Sequence, residues 1–147
     1  AETVTISGAL DAVAITDDAE ITFTVGSADP TNGNTTIAAT SPVVADGAST
    51  STVTVQLADA QGNLLTASGG TVTLSSTGSA VVSGVTDNND GTYTATVTNV
   101  VAETVTISGA LDAVAITDDA EITFTVGSAD PTNGNTTIAA TSPVVAD

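Results

Sequence analysis

Three features of the 147-residue sequence predict an all-β fold, a two-sheet sandwich of about seven short strands per repeat. Apolar and polar residues alternate along short runs rich in Thr and Val, the pattern of a sheet with one buried and one wet face. Gly, Asn and Asp cluster between those runs, where turns need them. Residues 1–46 recur without a difference at 102–147, so the chain holds one full period of 101 residues plus 46 more.

The elements follow in order. A first strand is expected over residues 36–45, with Pro42 suited to an edge or a bulge. The next are 51–58 (STVTVQLA), 71–76 (TVTLSS) and 80–86 (AVVSGVT). Three more follow at 92–98 (TYTATVT), 103–108 (ETVTIS) and 121–126 (EITFTV). No segment has helical periodicity longer than a turn. This spacing predicts an immunoglobulin-like β-sandwich, repeated in a tandem array. The expected organisation is 1–28 as the C-terminal strands of a preceding repeat, 29–35 as linker, 34–126 as the complete domain, 127–136 as a second linker and 137–147 as the first strand of a following repeat. The chain then reads as an internal excerpt of something longer. The stretch VGSADPTNGNTT, at 25–36 and again at 126–137, becomes the joint between modules.

Composition narrows the function. Seventeen acidic residues stand against no Lys, Arg or His, a formal charge of −17. That excludes intramolecular salt bridges between side chains and a basic nucleic-acid footprint, and argues against an anionic membrane surface. Hydrophobic residues make up 41%, so the chain has the apolar content to fold. Without Cys there is no disulfide framework or thiolate metal site. No apolar run approaches the roughly 20 residues of a membrane span. An enzyme is not expected: the usual base-activated nucleophiles are missing, no P-loop Lys follows the glycines of GNLLTASGG, and a sugar would find one Tyr and no Trp.

Three motifs carry a family resemblance. SPVVADGASTSTVTVQLADAQGN (41–63) resembles the opening of bacterial immunoglobulin-like domains of the invasin/intimin group, where an A-D-G turn leads to a strand ending in D-x-x-G-N. VTDNNDGTYTATVT (85–98) resembles their later D-x-x-D-G-x-Y strand, and ETVTISG (103–109) the one after it. The absence of basic residues and the perfect repetition look like the extender modules of long repeats-in-toxin adhesins, including the marine ice-binding type. The resemblance implies secretion to a bacterial cell surface, neighbouring identical repeats as partners, and calcium-dependent rigidity. The glycine-rich calcium nonapeptide of those proteins' C-terminal regions is absent here.

If successive strands alternate direction, the acids fall at two poles. One carries Asp29, Asp59 with Asn63, Asp87 with Asn89 and Asp90, and Asp112, Asp118 and Asp119 of an expected 111–119 loop. The other carries Asp46, Glu103 and Asp130; Asp17 and Asp18 are the first-copy twins of Asp118 and Asp119. Carboxylates and amides at a loop-rich pole suit Ca²⁺, which takes six to eight oxygen ligands. The competing reading is that Asp and Asn sit in turns to bond nearby backbone N–H groups, and Asp46 in ADG leans that way. The expected function is therefore an extender stiffened by calcium at loops and linkers. The alternative is a calcium-dependent module binding a carbohydrate or receptor. Strand-swapped or end-to-end contacts between molecules are a further expectation, since open edges invite them. Tyr93 is expected to be structural, its hydroxyl bonding upstream backbone as in a tyrosine corner. Phe23 and Phe124 are one core position in two copies. The Thr-rich faces follow β-propensity and are not expected to bind ice, and the Asn34-Thr35-Thr36 sequon is taken as chance.

Overall fold

A computed structural model describes residues 2–139. Residues 36–125 form an all-β, immunoglobulin-like sandwich, as the alternation predicts. The first sheet holds β5 (Thr36–Ala39), β7 (Ser51–Gln56), β11 (Thr92–Thr98) and β10 (Thr86–Asp87), with β9 (Val81–Val82) also paired to β11. The second holds β6 (Val43–Val44), β13 (Val114–Thr125), β12 (Thr104–Leu111) and β8 (Val72–Ser76). Upstream, β1 (Glu2–Ile6) pairs with β4 (Ala19–Phe23), and β2 (Ala9–Leu10) with β3 (Val13–Ala14). Alternate residues of each inner face fill the core: Val53 and Val55, Tyr93 and Val97, Val105 and Ile107, Ile122 and Phe124.

Two expected strands are each split, and hydroxyl groups mark both breaks. Within 36–45 the chain leaves the first sheet for the second at Thr40–Pro42. There the Thr40 hydroxyl accepts the Thr52 N–H of β7 (2.8 Å), while the Ser41 hydroxyl accepts the Thr123 N–H of β13 (2.9 Å). Side chains thus replace ladder carbonyls on both sheets where Pro42 has no N–H to offer. Downstream of it, β6 runs parallel to β13. Within 80–86, the Thr96 N–H is taken by the Ser83 hydroxyl (2.9 Å), which interrupts the ladder between β9 and β10.

The largest departure from expectation lies in 111–119. It is not a loop: β12 turns into β13 through Asp112 and Ala113 alone, both with positive φ (46° and 68°). Asp112 Oδ1 accepts the Thr71 N–H (2.8 Å), anchoring this two-residue turn of the kind that suits the strand twist. Asp118 and Asp119 are therefore strand residues. Of the strand expected at 137–147, residues 137–139 carry no strand and 140–147 lie outside the described residues.

Identical sequence sits in two environments here. The upstream hairpin and β12–β13 share their register, since Ile6↔Ala19 and Leu10↔Val13 repeat as Ile107↔Ala120 and Leu111↔Val114. Packing differs: Phe23 is 57% exposed and Phe124 2%, Ile21 46% and Ile122 0%. Without opposing strands, the segment that is continuous in β13 is broken into β3 and β4.

Tyr93 is buried, and its hydroxyl donates to the Gly70 carbonyl (2.8 Å) and accepts the Gly69 N–H (3.0 Å). It bonds upstream backbone as expected. It does so from β11 to a distant loop, though, rather than across a corner of its own strand. Tyr93→Phe would leave both loop groups without this partner and is expected to cost about 2 kcal/mol in chemical denaturation. Ala113→Gly should stabilise the domain. Relief of about 1–2 kcal/mol of left-handed strain outweighs the roughly 0.5–1 kcal/mol entropic cost of glycine, which a denaturation midpoint would register.

Candidate functional site at the repeat joint

The joint shapes itself by local turns. Asp29 Oδ1 accepts the Thr31 N–H (2.8 Å) and hydroxyl (2.7 Å), and Asn32 Oδ1 accepts the Asn34 N–H (2.9 Å). The Thr35 hydroxyl donates to the Asp29 carbonyl (2.7 Å) and closes the loop. These are turns that Asp and Asn side chains close onto backbone two residues on. The second copy repeats them. Asp130 Oδ1 accepts the Thr132 N–H (2.8 Å) and hydroxyl (2.6 Å), Asn133 Oδ1 the Asn135 N–H (2.8 Å), and the Asp130 carbonyl the Thr136 hydroxyl (2.7 Å).

Among the described residues, only the first copy is docked, and it sits on the loop 58–63. The Asp29 N–H donates to the Ala58 carbonyl (2.8 Å), and the Ala58 N–H to the Thr35 hydroxyl (3.0 Å). Asn34 Nδ2 donates to the Gly62 carbonyl (2.9 Å) and Asn32 Nδ2 to the Ala60 carbonyl (3.3 Å). The Pro30 carbonyl accepts the Thr117 N–H of β13 (3.2 Å). Thr35 is fully buried by these contacts.

Asp59 is the centre of the joint, with 1% of its surface exposed. Its Oδ2 accepts the Gly26 N–H (2.9 Å), and its Oδ1 the N–H groups of Gln61 (3.0 Å) and Asn63 (2.9 Å). Asn63 Nδ2 lies 3.2 and 3.0 Å from the two oxygens. The Asn63 amide and then the Gly26 N–H lower its pKa from 3.8 to about 2. A carboxylate that accepts several N–H bonds is held ionised in this way.

The other predicted residues are dispersed in pairs and caps. Asp46 accepts the N–H groups of Ser49 (2.6 Å) and Ala48 (2.8 Å), and these bonds lower its pKa. Asp90 is likewise held low by the Thr92 hydroxyl and N–H, Asp29 by Thr31, and Asp130 by Thr132. Asp87 accepts the Asn89 N–H (2.8 Å), and Ser68 reaches both residues. Asp118 reaches across the sandwich to the Ile37 N–H of β5 (2.8 Å), whereas Asp119 is an exposed residue of β13 and Asp17 and Asp18 are exposed between β3 and β4. Glu103, at the second expected pole, accepts the Asn99 amide (2.9 Å) and the Ser79 N–H (2.7 Å), with its pKa lowered by both. Asn32, Asn34 and Thr35 were missed as site residues. Their signal was the i, i+2 spacing of Asp-Pro-Thr and Asn-Gly-Asn in a stretch repeated to the letter.

Among the described residues, no three carboxylates come together in a group that could hold a metal ion. The oxygens of Asp59 face N–H donors, a chemistry that fits an anion receptor turned inward and not a calcium cage. The joint in this structure is held by hydrogen bonds.

A family model described as Invasin, domain 3 matches residues 29–127, more than half of the chain. The fold is similar to the crystal structure of invasin, described as a bacterial integrin-binding protein, at 24% identity and a TM-score of 0.62, covering 86% of this chain and 25% of that one. It is similar to the Yersinia pseudotuberculosis adhesin InvE at 28% identity and a TM-score of 0.58, covering 67% and 28%. InvD of the same organism matches at 22% identity and a TM-score of 0.64, covering 91% and 40%. The chain thus spans a quarter to two fifths of these structures. A comparison with curated protein sequences finds no match.

Asp59 gives the joint a defined acid response. Because its folded pKa is depressed, its contribution is complete above the ordinary carboxylate value near 3.8 and is lost as the pH falls toward about 2. Melting temperatures measured across that window should fall for the natural chain. Asp59→Asn should melt lower throughout and show a shallower fall.

Proposed function

This chain belongs to the invasin domain 3 family, as the motifs at 41–63, 85–98 and 103–109 suggest, and we propose that it serves as an extender module of a bacterial cell-surface adhesin. Stacked end to end, such modules would project a distal ligand-binding domain. The observation that carries the reading is the joint: a preshaped loop, repeated to the letter, docked by cross-bonds onto the next module. A tether would need neither its sequence nor a buried carboxylate. Docking converts the linker into part of the following domain, which leaves few free residues between one module and the next.

The charge imbalance favours a second, calcium-dependent reading. With 17 carboxylates and no basic side chain, divalent ions gathering on the acidic surface would relieve repulsion without entering the joint. Small-angle scattering of an array of several repeats separates the two. With calcium or with chelator at matched ionic strength, the hydrogen-bonded joint is expected to give an equally long, stiff particle. Shortening on chelation would sink that joint and return calcium to the linker.

A further inference from the structure

Neither conformation nor space calls for a glycine at position 33. Its φ is not left-handed, and a Cβ built there meets nothing within 4 Å, whereas Gly62 across the joint has a φ of 83°. What the glycine leaves open is the backbone nitrogen that follows Asn32. Gly33 is exposed, and among the described residues its N–H donates no hydrogen bond. Asn32-Gly33 and its twin Asn133-Gly134 are the only Asn-Gly pairs in the chain. Asn34, Asn63 and Asn99 are followed by Thr, Leu and Val, whose side chains crowd the next nitrogen.

We propose that Asn32 is a site of spontaneous deamidation whose rate is set by docking of the joint. The inference rests on the joint reading above. The Gly33 nitrogen, once its proton is lost to base, attacks Asn32 Cγ and forms a C–N bond. The Cγ–Nδ2 bond breaks, and ammonia leaves with a proton returned from solvent. Water then opens the cyclic imide at either carbonyl, giving aspartate or isoaspartate at position 32. Docking restrains the first step. Asn32 Oδ1 accepts the Asn34 N–H (2.9 Å) and Nδ2 donates to the Ala60 carbonyl (3.3 Å), so the amide must release both before Cγ reaches the Gly33 nitrogen. The reaction therefore runs through local opening of the joint. Its products hold the joint open. Aspartate replaces the Nδ2 donor with an oxygen facing the Ala60 carbonyl, in a chain with no cationic side chain to offset the new charge. Isoaspartate adds a carbon to the turn in which the Thr35 N–H bonds the Asn32 carbonyl (2.9 Å), the turn that seats Thr35 on Ala58.

The test incubates the full chain in mildly alkaline buffer, where loss of the amide proton is favoured. Cleavage after Glu separates fragment 21–103, which carries Asn32, from 122–147, which carries Asn133. Mass spectrometry then reads the deamidation in fragment 21–103 and locates it at Asn32. Unfolding the chain in urea should speed the reaction. Asn34→Ala, which removes the bond to the Gly62 carbonyl, should speed it by roughly five-fold, the weight of one net hydrogen bond in the opening equilibrium. Gly33→Ala should suppress it and melt no lower than the natural chain. Near-ultraviolet dichroism of Tyr93, the sole Tyr, reports that each variant is folded. An Asn32 that stays intact in the folded chain overturns the proposal. Equal rates in the folded and urea-unfolded chains, or a rate untouched by Asn34→Ala, overturn the control by docking. Scattering from an array of repeats keeps the two readings apart. A flexible natural array removes the joint reading, whereas a stiff array that stays stiff with Asn32→Asp overturns only the opening assigned to the product.

Discussion

Everything at the joint depends on one buried carboxylate in a chain that has no cationic side chain to pair with it. Taking a charge out of water is costly unless it is hydrogen-bonded, and only N–H groups are on hand to do it. Asp59 collects them from its own loop, from Asn63 and from Gly26 of the preceding segment. The loop 58–63 therefore cannot take its shape without fixing where the linker arrives. Once Gly26 is held, Asp29 and Thr35 fall into register with Ala58, and residues 26–35 pack as part of the sandwich.

The same solution recurs at smaller scale across the molecule. Asp46, Asp90, Asp112 and Glu103 each cap a turn through backbone N–H groups, and Asp118 reaches one from the opposite sheet. Acidity that suggests ion binding on composition alone is here spread over separate turn structures. The sandwich supplies the frame that keeps those turns apart. Among the described residues, no three carboxylates fall together in one group.

The duplicated segment separates local from tertiary causes without any mutation. The register of the hairpin and the turns of the joint are the same in both copies, because each is set by neighbours within a few residues. Among the described residues, the continuity of β13, the burial of Phe124 and the docking of Asn34 exist in one copy only. Their partners, among them β5, β6 and the loop 58–63, lie tens of residues away in sequence. Each buried side chain of that size adds about 1.5–3 kcal/mol, which the exposed twins Phe23 and Ile21 do not gain.

By itself, the sequence determined the all-β class, the approximate places of most strands, the repeat period and the turn-forming character of DPTNGNTT. All of these rest on alternation and on bonds between near neighbours, which a linear reading can see. Only the tertiary structure decided the rest. Residues 36–45 divide between two sheets because Thr40 and Ser41 bond different strands. Asp118 became a cross-sheet contact instead of a loop ligand because β13 is extended by its long pairing with β12. The joint turned out to be a docked element centred on Asp59, because the donors that satisfy that carboxylate come from segments 33 residues apart in the chain. No periodicity records such a distance.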